Sequence, residues 1–187
     1  MIPFAREGDV LVTELDDFEV SLIASLVSQV VELVGGSAPS APAASEDPFA
    51  LWASEMGPAA TLDRSDPVVA RLFPDAYADE VAAAEHRRYS EEALRRARVA
   101  DADVVLAGLA ATREGAEPLV IHERDADAWL KTLNGVRLSL AVRLGIESES
   151  DHAELERLSA RDPRTQLVSL YDWLGLVLES LLEALHA

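Results

Sequence analysis

Apolar positions along the chain recur mostly at three- and four-residue spacing, the mark of helices that bury one face. The N-terminus is the exception. Ile2 to Arg6 and Val10 to Glu14 flank a Glu7-Gly8-Asp9 turn, which predicts a small hairpin over residues 2–14. A helix then opens at Asp16, with Glu19 as its capping-box partner and Leu15 as a staple, and runs to about Val34 before Gly35-Gly36. Its polar stripe is narrow (Ser21, Ser25, Ser28, Glu32), so it must be covered on at least two sides, as a central helix or a dimer helix. Residues 35–46, centred on Ser37 to Ser45, read as a flexible Ala/Pro/Ser linker.

Asp47-Pro48 and Asp66-Pro67 each set Asp at an N-cap and Pro at the first helical position. They predict short helices over Phe49–Glu55 and Val68–Phe73. Pro74 breaks the chain before a helical region from about Asp79 to Thr112, which Ser90, followed by Glu91 and Glu92, divides in two. Leu119-Val120-Ile121 reads as a short buried strand over 119–122 that joins the hairpin. A helix from Asp125 to Leu144 ends at Gly145, the acidic stretch Glu147 to Asp151 is a loop, and Asp162-Pro163 starts a last helix. The expected fold is mainly α, one domain over residues 1–187. It is a bundle of about six to eight helices with a two- or three-stranded β element, the hairpin 2–14 plus strand 119–122.

Composition sharpens this. Of 92 apolar residues, 31 are Ala and 27 Leu against four Ile, a bias towards helix over sheet. The net charge is -18 and Lys131 is the one lysine, which argues against a nucleic-acid partner and, less strongly, against a membrane. There is no Cys, hence no disulfide frame, thiol nucleophile or thiolate metal site. Met1 to Val10 has no apolar leader core, and Val20 to Val34 is too short to span a bilayer, so the expected location is cytoplasmic. Phosphate-binding, dinucleotide, zinc-protease and nucleophile-elbow motifs are missing, so no cofactor is expected and enzyme status is doubtful.

Candidate chemistry centres on the helix Asp125 to Leu144. Trp129, Leu133, Val136, Leu140 and Leu144 form one stripe, and Arg137 falls in the same sector, flanked by Asn134 and Arg143. An isolated buried guanidinium costs several kcal/mol, so it needs company. It is a structural Arg–carboxylate pair, an anion-binding pocket using Arg137, Asn134 and Arg143, or a lock at a subunit contact. Arg87, Arg88, Arg95, Arg96 and Arg98 form the densest basic cluster, opposite Ala83, Leu94 and Ala97. With Glu91–Arg95 and Glu92–Arg96 as i,i+4 pairs, they make a solvated face. Two Glu-x-x-His pairs, Glu149–His152 and Glu183–His186, have the spacing of di-metal bundles, but one lies in a loop and the other in a terminal turn. They are weak metal candidates. His86 reads as a core or edge histidine, and His122 has no spaced partner.

The run Asp66 to Tyr77 (DPVVARLFPDAY), with Trp129-Leu130, Leu133-Asn134, Arg137-Leu138, Arg143-Leu144-Gly145-Ile146 and Leu170-Tyr171-Asp172-Trp173-Leu174, resembles an actinobacterial family of unknown function (domain of unknown function 2017). The resemblance covers nearly the whole chain outside the linker. Where the family pattern has Leu-Asn-Asp, this chain has Leu133-Asn134-Gly135. The family's frequent position beside the Clp protease adaptor implies proteolysis-linked regulation, and the acidic charge opposes the transcriptional-regulator label some members carry. The functional expectation is a non-enzymatic protein–protein interaction or regulatory protein acting as a homodimer. The alternative is an anion-binding sensor or enzyme using Arg137.

Overall fold

The computed structural model describes residues 2–35, 62–159 and 161–187. The expected linker beyond Gly35 and the expected helix Phe49–Glu55 lie outside the described residues. In chain order come β1 (Ala5–Glu7), β2 (Val10–Thr13), α1 (Asp17–Gly35), α2 (Pro67–Leu72), α3 (Glu80–Ala111), β3 (Leu119–His122), a 3-10 turn (Glu123–Asp125), α4 (Ala126–Leu144), α5 (Glu149–Leu155) and α6 (Arg164–His186). The mainly helical fold with a minor sheet is as expected from periodicity.

The three strands form an antiparallel sheet in the order β1-β2-β3. Leu11 pairs with Ile121 and Thr13 with Leu119, and all four are buried on one face, as a period of two requires. The capping box of α1 forms as its sequence predicts. The Asp16 backbone N–H donates to Glu19 Oε2 at 3.1 Å, and the Glu19 N–H donates to Asp16 Oδ1 at 2.8 Å. Val20, Ile23, Val27 and Val34 point into the core, where α1 lies along α3 and α4. The helix keeps the extent expected for it, but the reading that its apolar part, Val20 to Val34, is too short for a bilayer is corrected for the helix as a whole. It spans 19 residues and, by length and composition, is long and apolar enough to cross a membrane.

Three local expectations are corrected. Ser90 does not divide the helix it sits in: α3 runs unbroken from its Asp79 N-cap, and the Ser90 hydroxyl donates to the His86 carbonyl at 3.0 Å. The faces of α3 are also turned. Leu94 is 51% exposed, while Arg95 and Arg98 lean inward. The cause is the supply of orphan carbonyls at the ends of α1 and α2. Arg95 donates to Gly35 O, and Arg98 donates to Leu72 O at 2.7 Å beneath the Phe73 ring, 5.1 Å away. Glu91 pairs with Arg64 at 2.7 Å rather than with Arg95, and Glu92 holds both Arg95 and Arg96 at 2.8 Å. The third correction is the acidic loop, which is a helix from Glu149 onward. Ser148 caps it in a reciprocal box with Asp151, a pattern hidden because Asp stands where Glu is usual.

The main core joins α1, α3, α4, α6 and the sheet around Val27, Val105, Leu133, Leu174 and Leu181. Gly108 lets α3 approach α4: a Cβ there would lie 2.7 Å from Cζ2 of Trp129. A second cluster, Val34 with Val68, Val69, Leu72 and Phe73, seats α2.

Candidate functional site

Helices α4 and α6 pack against each other, yet their outward shoulders diverge into an open cleft of about 1000 Å³. The stripe of α4 that buries Leu133 and Leu140 carries Leu130, Asn134 and Arg137 on its flank, and these three line the cleft. From α6 come Gly175, Leu178 and Leu182, which follow a helical spacing of three and four. Asp172, Glu179 and Glu183 rise along the same helix as an acidic rim, which Glu156 extends at one end.

Arg137 is the centre of this cleft. Its Cζ lies 4.1 Å from the centroid of the Tyr171 ring, a cation–π stack. One turn further along α6, Gly175 leaves the guanidinium a shelf, since a Cβ there would lie 3.4 Å from Nε. The buried Nε has no hydrogen-bond partner, and Arg137 makes no ion pair among the described residues. The internal Arg–carboxylate pair that the sequence offered as one option is therefore not formed among the described residues. Asn134 shares the cleft with Arg137. Arg143 does not: it is exposed and borders a crevice with Leu26 and Gln29 of α1. Lys131, the other base of the cleft, is tied to Asp127 at 2.5 Å, and that hydrogen bond and charge raise its pKa.

The histidines are placed differently from their expected pairs. His152 turns from Glu149 towards α6, with Nε2 2.7 Å from Asp172 Oδ1 and its ring against Tyr171, centroids 5.5 Å apart. One donor atom each from His152, Glu156 and Asp172 lie within 4.8 Å of one another. Glu183 lines the far end of the cleft, and His186 Nδ1 sits 2.7 Å from the Leu182 carbonyl, so this pair gathers no cluster among the described residues. His86 is an exposed edge histidine, with Nδ1 3.1 Å from Ser90 Oγ and its ring edge-on to Tyr77. His122 lies on the exposed face of β3. Gly135, where the resembled pattern has an acid, faces away from the cleft, 3.7 Å from Arg98 Nη1.

Sequence reasoning did not find Tyr171, Gly175, Glu156 or Asp172 as site residues. A lone glycine inside the apolar α6 was the available signal, since such a glycine commonly marks a close approach. A separate apolar face lies at the N-terminal ends of α1 and α6, where Phe18 is 72% exposed beside Leu22, Leu167, Leu170 and Trp173.

The architecture defines a class: a mainly helical protein with a small sheet and an arginine-bearing groove between two long helices. The chain belongs to the DUF2017 family, a domain of unknown function, whose family model matches residues 1–185. No curated protein and no solved structure matches it.

Proposed function

We propose that this is a non-enzymatic interaction protein whose α4–α6 groove seats an amphipathic, net-cationic helix of a protein partner. The observation that carries this reading is Arg137, a guanidinium without an ion pair among the described residues, held in place within a leucine-lined groove. From Asp172 to Glu183 the groove follows α6 for about 16 Å, or three helical turns. A partner helix lays i, i+3/i+4, i+7 apolar side chains on Leu130, Leu178 and Leu182, the helix-in-groove mode of recognition. Its basic residues face Glu179 and Glu183, and one carboxylate takes the Arg137 fork. A small free anion is a poorer occupant, because the rim acids repel it, and a nucleic-acid backbone is poorer still.

The test is selection of helical peptides of about 14 residues from a random library against the full chain. Enriched sequences are expected to be basic and amphipathic, and to lose binding to the R137M and L182D variants. Acidic or unpatterned winners, or winners indifferent to both substitutions, overturn the proposal.

A second reading follows from the Phe18 face, and its occupant is a second copy of the chain. Its carboxylates, Asp16 and Glu19, are engaged in the α1 cap. Two copies can therefore meet there without opposing the acidic rims of their grooves. Light scattering at tens of micromolar is expected to give a dimer that F18D returns to monomer. A parent chain that is strictly monomeric removes this reading.

A further inference from the structure

We infer that His152, Glu156 and Asp172 form a site for a divalent transition-metal ion of the zinc class, joining α5 to α6. An ordinary salt bridge between His152 and Asp172 needs only those two groups, which meet at 2.7 Å. The third group is the informative one. Glu156 follows His152 by one helical turn, its backbone still helical at φ -61 and ψ -24, so both side chains leave the same face of α5. Its carboxylate makes no hydrogen bond or ion pair among the described residues. Yet a donor atom of Glu156 comes within the 4.8 Å span that holds the other two.

Imidazole nitrogen at about 2.0 Å and carboxylate oxygens at about 2.0–2.2 Å are ordinary zinc ligands, with water completing a tetrahedron. Such a tetrahedron separates its donor atoms by about 3.4 Å. His152 and Asp172 must therefore part slightly while Glu156 closes in, adjustments that side-chain rotation can supply. Tyr171 already orients the imidazole, its ring tilted against it at 50°. One imidazole among oxygen donors favours zinc-class ions over Mg²⁺ or Ca²⁺, which prefer all-oxygen shells. A bound ion would cross-link a seven-residue helix whose other anchor is Leu155 against Leu144 and Val168.

Zn²⁺ titrated calorimetrically into the full chain is expected to bind at one ion per chain, and Co²⁺ is expected to give a visible ligand-field band. H152A, D172N and E156A each weaken binding by about tenfold or more and lose the band. H152A and D172N also cut the link between α5 and α6. E156A is therefore the decisive variant, because the Glu156 side chain holds nothing else among the described residues. E179A, an acid on the same groove, leaves both signals unchanged. If no saturable binding is seen, if E156A binds like the parent chain, or if E179A weakens binding as much, the ion is merely attracted to an acidic surface and the proposal falls.

Discussion

At the scale of single residues, two helix-interior glycines have opposite expected responses to the same substitution. In G108A the new methyl meets Trp129 Cζ2 at 2.7 Å, against a ring that is itself buried in the core. Overpacking of this kind destabilises by about 1–3 kcal/mol. In G135A the nearest atoms, Arg98 Nη1 and Leu72 Cδ2, stand at 3.7 and 3.8 Å, an ordinary contact. There the helix gains about 0.5–1 kcal/mol from losing a glycine. Urea unfolding of the two variants checks both signs. Arg137 supplies the companion prediction. Its Nε is already buried without a partner, so R137M, close in volume and free of that orphan donor, unfolds within about 1 kcal/mol of the parent or above it. The same variant loses the selected peptides, which separates a recognition role from a structural one. That Arg137 lay on an apolar face was legible from its spacing. What surrounds it was not, because Tyr171 and Gly175 belong to another helix, and periodicity within one segment carries no information about its neighbour.

At the scale of elements, boundaries set by local chemistry were legible and partners across elements were not. Asp16 with Glu19, Asp66-Pro67 and Asp79 each start a helix, because their caps satisfy orphan N–H groups a few residues away. The α5 helix was not legible for a related reason: its box pairs Ser148 with Asp151 where Glu is usual, inside an acidic run whose composition reads as loop. S148A is expected to lower the local stability of α5 by about 1 kcal/mol, seen as faster amide exchange over 149–155 alone. The turning of α3 was not legible, since the carbonyls that draw Arg95 and Arg98 inward come from other helices. That turn makes α3 acid-sensitive at Glu92. Burial pushes the Glu92 carboxyl up, but its hydrogen bonds and charge interactions with Arg95 and Arg96 outweigh this and hold it below the ordinary range. A carboxylate depressed on folding adds stability above its unfolded value, about 4.3, and that stability is lost as pH falls through the depressed value. E92Q is therefore expected to melt below the parent at neutral pH, with the gap closing as both are acidified.

At the scale of the whole molecule, the charge of -18 was fully legible, and it gives the two proposed associations opposite responses to salt. The groove sets Glu179 and Glu183 towards a cationic helix, so attraction across it is electrostatic as well as apolar. The Phe18 face brings together two bodies that repel each other through their total charge, while their contact rests on Phe18, Leu22, Leu167, Leu170 and Trp173. Screening shortens from about 30 Å at 0.01 M salt to about 3 Å at 1 M. Adding salt should therefore weaken peptide binding while it strengthens self-association, since repulsion fades and apolar burial remains. Peptide titrations and light scattering over one salt series on the same preparation read both slopes. F18D should flatten the self-association slope and leave that of the peptide untouched, while a charge-reversed rim, E179K with E183K, should do the reverse. If both associations move in the same direction with salt, the two faces do not divide the work in this way, and a single surface serves both.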